Sequence, residues 1–141
     1  NAVIGQVQLK KLPAFNKKRN AVAAHWSHCF AALIQQGKLT PMVIGDSVQA
    51  AWFGYPILCA DKTTRDQLRQ HLEHNGIETR PIICGNMARQ PAFEHYPHRT
   101  ATDLVGANRV MDCGLYWGIS PLMSDEQIET VVLVVQQFFN T

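Results

Sequence analysis

No two of the chain's four cysteines, Cys29, Cys59, Cys84 and Cys113, stand close enough to make a C-x-x-C pair. Zinc and iron–sulfur sites draw on closely spaced ligands. The spacing therefore argues against a cysteine-held metal and for reduced thiols of a cytosolic protein, some buried as small hydrophobes. No uninterrupted apolar run approaches the roughly 20 residues that span a bilayer, and no secretory leader is visible. A strong charge imbalance is also missing. The formal net charge is +2, too mild to imply a nucleic acid or a membrane surface as partner. The sequence has no G-x-S-x-G elbow, no P-loop, no G-x-G-x-x-G and no H-E-x-x-H, so the usual hydrolase, phosphate-cradle, dinucleotide and zinc-protease signatures are absent. Repeats and low-complexity tracts are absent as well.

What remains is the composition of one packed domain. The 141 residues are 46% hydrophobic and 17% charged, enough apolar material for a sizeable core and too much for disorder. The chain opens at Asn1 without a methionine, as expected of a domain or proteolytic piece of a larger protein.

The periodicity alternates between helix and strand. Val3 to Leu12 has helical spacing, and Pro13 predicts a kink or a new start. A long helix then runs to about Gln36, with Val22, Trp26, Cys29, Phe30 and Leu33 on one face and Gly37 as terminator. Lys38 to Gln49 reads as a loop with one apolar patch at Met42 to Ile44. Ala51 to Ala60 reads as a strand, and Gly54 and Pro56 suggest an edge or a bulge. Thr64 with Gln67 has the pattern of a capping box, opening a helix that turns Leu68 and Leu72 inward and stops at Asn75-Gly76. Ile77 to Ile83 forms the second predicted strand, residues 84 to about 100 a long connection, Thr102 to Cys113 a third helical stretch, and Leu115 to Trp117 the last strand. Ser124 with Gln127 is another capping box, and the final helix buries Ile128, Val131, Val132, Val135 and Phe139. The order predicts an α/β, α+β-like fold: a small three-stranded sheet packed with helices. The opening helix is long for so small a domain, a first hint of a neighbouring domain.

Candidate chemistry is sparse. His25 and His28 share a helix with Cys29, and His71 and His74 share another, but neither pair has a clear carboxylate or cysteine partner at ligand distance in sequence; polar residues on a helix face are the simpler reading. His95 and His98 flank Tyr96-Pro97 as surface residues or pocket rim. Lys10, Lys11, Lys17, Lys18 and Arg19 lack the interleaved aromatics of a nucleic-acid patch and read as a solvated face. The stretch Gly76 to Phe93 is more informative. A strand carrying Thr79 and Arg80 runs into a loop that presents Asn86, Arg89 and Gln90 between Gly85 and Pro91. Arginine captures phosphate or carboxylate with two parallel hydrogen bonds, and Asn and Gln suit sugar hydroxyls. The four could clamp an anionic, hydroxyl-rich ligand. Equally, Arg80 could pair with a local carboxylate and Asn86 merely cap the turn.

These residues resemble a known family. Asn1-Ala-Val-Ile-Gly-Gln-Val-Gln-Leu-Lys-Lys-Leu-Pro13 with the basic Lys17-Lys-Arg19 resembles the segment joining the large and small domains of the DegT/StrS family, pyridoxal-phosphate-dependent enzymes acting on nucleotide-linked keto sugars. Trp52-Phe-Gly-Tyr-Pro56, Gly76-Ile-Glu-Thr-Arg80, Leu115-Tyr-Trp-Gly118 and Pro121-Leu122 fall in the family's order, so the resemblance covers essentially the whole chain. Gly85-Asn86 through Arg89-Gln90-Pro91 is most similar to the sugar 3-dehydratase branch, which uses pyridoxamine phosphate (PMP) to remove a 3-hydroxyl from a 4-keto-6-deoxy hexose; aminotransferases of lipopolysaccharide-sugar pathways are similar here too.

The resemblance implies the C-terminal small domain of a type I aminotransferase fold. Residues 1–36 would be the linking helix and 50–141 the substrate-side domain, in a cytoplasmic homodimer with a missing large domain. It implies pyridoxal phosphate (PLP) or PMP in the parent enzyme and no catalytic residue, cofactor or metal in this piece. Lys10, Lys11, Lys17, Lys18, Lys38 and Lys62 match no Schiff-base motif, and the iron–sulfur cysteines of one dehydratase subgroup belong upstream. Arg80, Asn86, Arg89 and Gln90 would line the nucleotide-sugar side of the cleft. A free-standing α+β binding or interaction module is the competing reading.

Overall fold

The computed structural model describes residues 2–45 and 47–140. Helix α1 runs Ala2–Cys29 and passes through Pro13 without ending. The expected restart is absent because the turn around Pro13 is exposed, where water can satisfy the carbonyl that the proline leaves without its N–H. A one-residue offset at Phe30 separates α1 from α2, Ala31–Gln35. Gly37 then ends the helix with the paired bonds of a Schellman turn, Lys38 N–H to Leu33 O and Gly37 N–H to Ile34 O, each 3.0 Å.

Among the described residues the sheet has four strands, β1 Leu39–Pro41, β2 Gly54–Cys59, β3 Thr79–Arg80 and β4 Gly114–Gly118, in the order β1-β2-β4-β3 with every pair antiparallel. Strand β1 replaces part of the expected loop. It is only three residues long, too short to show alternation, and it exists because Leu39 pairs with Cys59. Strand β2 starts at Gly54 rather than Ala51 and lies inside the sheet. Pro56 stands one residue beyond the last position matched with β1, so the proline sits where the sheet has a single neighbour. Strand β3 is shorter than expected, since Pro81 has no N–H to extend the ladder.

Helix α3, Lys62–His74, is capped by Asp61 and not by Thr64. The Asp61 carboxylate accepts the Thr64 backbone N–H at 2.8 Å and the Thr64 hydroxyl at 3.1 Å. An anion at a helix N-terminus also meets the positive end of the dipole, which favours aspartate over threonine. Two short elements follow, a 3-10 turn at Met87–Arg89 and α4 at Pro91–Glu94. Helix α5, Val105–Cys113, begins three residues later than expected, behind Leu104 at φ 53°. The capping box at Ser124 forms as read: Gln127 N–H donates to Ser124 Oγ at 3.2 Å, and Ser124 N–H to Gln127 Oε1 at 3.0 Å. It opens α6, Asp125–Asn140, which buries Val134 besides the expected valines and Ile128; Phe139 is only half-buried.

One face of the sheet makes the core. Tyr55, Ile57, Cys59, Leu115 and Trp117 alternate inward against Trp26 and Phe30 of the first two helices, Leu68 and Leu72 of α3, and the α6 valines. Trp26 is fully buried, lies edge-on to Tyr55 and Trp117, and donates its indole N–H to Ile128 O at 3.1 Å. The opposite face, carrying Pro56, Tyr116 and Arg80, is partly open.

Candidate functional site

Gly76 builds the entrance. It ends α3 at φ 77°, where a Cβ would be strained, and its N–H and that of Ile77 bond back to Glu73 and Leu72 at 3.1 and 2.9 Å. The chain is thereby turned into β3. Thr79 points inward and donates to Glu73 Oε1 at 2.8 Å. That bond, followed by the one from Arg69, holds the Glu73 carboxyl below its usual range. Arg80 points the other way and lies directly across the sheet from Tyr116. Its Nη2 donates to Glu78 Oε1 at 2.5 Å, and both side chains remain largely exposed. A cleft of about 500 Å³ opens here, with Arg80, Glu78, Phe53, Tyr116, Met123 and Gln127 among its walls. Pro81 ends the strand and passes the chain to the loop.

The loop is held by side chains more than by backbone ladders. Ile83 sits at φ 44°, an unusual conformation for a β-branched residue. Gly85 follows at φ 59°, and a Cβ there would meet Met111 Cα at 2.5 Å, so both conformation and space require glycine. Asn86 is 3% exposed. Its Oδ1 caps the 3-10 turn by accepting the Ala88 N–H at 2.9 Å, and its Nδ2 donates to Asn108 Oδ1 at 2.8 Å. Arg89 Nη1 donates to the same Asn108 oxygen at 3.2 Å and to Asp112 Oδ2 at 2.9 Å. The Arg89–Asp112 hydrogen bond raises the guanidinium's pKa and lowers the carboxyl's. Gln90 Nε2 donates to Cys84 O at 2.7 Å.

The four nominated residues thus separate. Arg80 lines the large cleft. Asn86 and Arg89 face α5, and Gln90 braces the loop beside a smaller hollow of about 350 Å³. Sequence reading missed the partners. Asn108 and Asp112 were visible as a polar pair four apart on one helix face, but nothing local pointed them at residues 86 and 89. Phe53 and Tyr116 were read only as strand residues.

Two of the histidines are tied into the scaffold. His25 Nε2 pairs with Glu129 Oε1 of α6 at 2.8 Å, with Cys29 Sγ at 3.6 Å from the same nitrogen. His71 Nε2 meets Val134 O at 3.1 Å. Among the described residues no cluster of three or more His, Cys, Asp or Glu could hold a metal. Lys10, Lys11, Lys17 and Lys62 are exposed, Lys18 pairs with Asp125 at 3.2 Å, and Lys38 donates to Phe139 O at 3.3 Å. No helix among the described residues is long and apolar enough to cross a membrane.

Comparison with known proteins agrees with this architecture. The model of the DegT/DnrJ/EryC1/StrS aminotransferase family matches residues 1–136. The chain is 33% identical over 140 residues to a dTDP-4-dehydro-2,6-dideoxy-D-glucose 3-dehydratase of Saccharopolyspora spinosa, covering 97% of this chain and 29% of that protein. It is 26% identical to the lipopolysaccharide biosynthesis protein RfbH of Salmonella typhimurium, covering 98% of this chain and 32% of that one. The chain therefore spans about a third of the length of these relatives. Among solved structures, a GDP-4-keto-6-deoxymannose-3-dehydratase with a trapped PLP–glutamate geminal diamine superposes with a TM-score of 0.78 at 25% identity, over 94% of this chain and 34% of that one.

Proposed function

The chain belongs to the DegT/DnrJ/EryC1/StrS aminotransferase family, and from that premise we propose that it is the C-terminal, substrate-side domain of a PLP- or PMP-dependent enzyme acting on a nucleotide-linked 4-keto-6-deoxy sugar, by 3-dehydration or transamination. The observation that carries this reading is the Arg80 cleft, an exposed guanidinium on a rigid strand, in a chain that the family model matches almost from end to end. The relatives' greater length supports a large domain elsewhere in the parent, with α1 as the link to it. The lipopolysaccharide-related name of one relative supports a deoxysugar pathway. A homodimer in the cytoplasm, where the free cysteines stay reduced, completes the proposal.

The cofactor, when bound, supplies the electron sink for bond changes next to the sugar carbonyl. No lysine here suits it, so this domain's part is to bind and orient. Arg80 offers its guanidinium to an anionic group of the substrate. Asn86, Arg89 and Gln90 keep the loop in register with Arg80, and any contact they make with the substrate comes from the loop's outer edge.

The test is Arg80→Ala in the full-length enzyme. Loss of a charge-assisted arginine contact predicts a rise of about 10- to 100-fold in KM for the nucleotide sugar; unchanged affinity and turnover would refute the assignment. The residue at the cofactor-lysine position of the full reading frame helps separate the reactions, histidine favouring dehydration and lysine favouring transamination or the iron–sulfur subgroup. The isolated 141-residue chain should give no stoichiometric aldimine absorbance with added PLP.

A further inference from the structure

The Arg80 cleft has two unlike walls. On one side stands the Arg80 guanidinium, 64% exposed and held at one nitrogen by Glu78. On the other stands Phe53, 68% exposed although it is a large apolar side chain. Phe53 is set edge-on to Tyr116, with ring centroids 5.6 Å apart and planes at 72°. Tyr116 in turn faces Arg80 across the β3–β4 ladder. The three form a continuous strip, and Phe53 and Tyr116 also border an adjoining apolar hollow of about 270 Å³.

An open aromatic face beside a cation suits a ligand that joins a flat heterocycle to an anion. The ring accepts stacking by any base, and the guanidinium matches the paired oxygens of a phosphate. The edge-on Tyr116 holds the Phe53 ring in one orientation, so little freedom is lost when a base lands on it. A cleft of about 500 Å³ is of the right size for such a ligand.

We propose that this strip is the nucleotide subsite: Phe53, steadied by Tyr116, stacks the base, and Arg80 takes the diphosphate. The inference rests on the reading that the substrate is a nucleotide-linked sugar, and it assigns the nucleoside diphosphate half of that substrate to this domain. The Glu78 carboxylate stands in for a phosphate oxygen on Arg80 and yields when the ligand arrives.

The test is a ¹H–¹⁵N NMR titration of the 141-residue chain with dTDP, with GDP and with inorganic pyrophosphate. The nucleoside diphosphates should give saturable shifts at Phe53, Arg80 and Tyr116, and pyrophosphate should bind more weakly. Phe53→Ala, at an exposed position that leaves the core intact, should raise the Kd for dTDP and GDP about tenfold while leaving pyrophosphate unchanged. Arg80→Ala should weaken all three by about tenfold or more. No saturable shift at these residues, equal affinity for pyrophosphate, or indifference to Phe53→Ala would overturn the proposal; the last two outcomes are what a simple anion site would give, and a flat titration is what a cleft built to receive another part of the polypeptide would give. Binding is read without turnover. A chain that binds nucleotide here while its parent neither dehydrates nor transaminates refutes the reaction and spares the subsite, and an active parent indifferent to Phe53→Ala does the reverse.

Discussion

Trp26 gathers much of the packing into one side chain. It joins α1 to the sheet through Tyr55 and Trp117, and to α6 through the Ile128 carbonyl. Trp26→Ala should cost about 3–5 kcal/mol by loss of buried surface and creation of a cavity, read as a lower urea midpoint with little change in slope. Burial pushes the Cys59 thiol up to about 12, with the nearby Cys113 adding to it. Cys84 is exposed. A thiol reagent at about pH 8 should therefore modify Cys84 in the native chain and reach Cys59 and Cys113 only after denaturation. Asp61 carries a pH dependence. Hydrogen bonds from Thr64 hold its carboxyl below the usual range, so the cap stabilises the fold above the unfolded carboxylate pKa and fades as pH falls through the lower folded value. Asp61→Ala should lower the thermal midpoint at neutral pH, and the gap from wild type should narrow as pH falls through the lowered folded pKa.

At the scale of elements, the loop after β3 and helix α5 form one unit, latched by Asn86, Asn108, Arg89 and Asp112. Arg89→Ala should speed hydrogen exchange at the amides of residues 85–94 while leaving β2 and β4 protected. Gly85→Ala adds a Cβ against Met111 at an unfavourable φ and should cost about 1–3 kcal/mol, measurable as a lower denaturation midpoint. Boundary errors in the sequence reading were local. Thr64 and Ser124 open identical-looking boxes, yet only Ser124 caps its helix, because Asp61 stands three residues ahead of Thr64. Strand β1 could not be seen at all, since three residues carry no period and only pairing with β2 makes them a strand.

At the scale of the whole molecule, α1 is divided. Its second half packs on α6, whereas Val3, Ile4, Val7, Leu9 and Leu12 remain exposed. These exposed apolar side chains, on a chain that spans about a third of its relatives' length, should drive weak self-association of the isolated chain. Sedimentation should show a concentration-dependent dimer, and Ile4→Glu with Val7→Glu should restore the monomer without moving the urea midpoint.

Composition and periodicity alone determined the class of the fold, the amphipathic faces of α3 and α6, the glycine stops and most helix residues of the core, because each of these depends on spacing within a few positions of the chain. The family resemblance was legible for the same reason, being a matter of ordered short motifs. The fate of the four candidate site residues was decided only by tertiary structure. Arg80 opens into the cleft because antiparallel pairing with Tyr116 turns it to the uncovered face. Asn86 is buried and Arg89 is held along the surface of α5 because that helix, about twenty residues further along the chain, brings Asn108 and Asp112 within hydrogen-bonding distance. Partners so distant in sequence leave no local pattern, and the choice between ligand contact and loop brace rested on them.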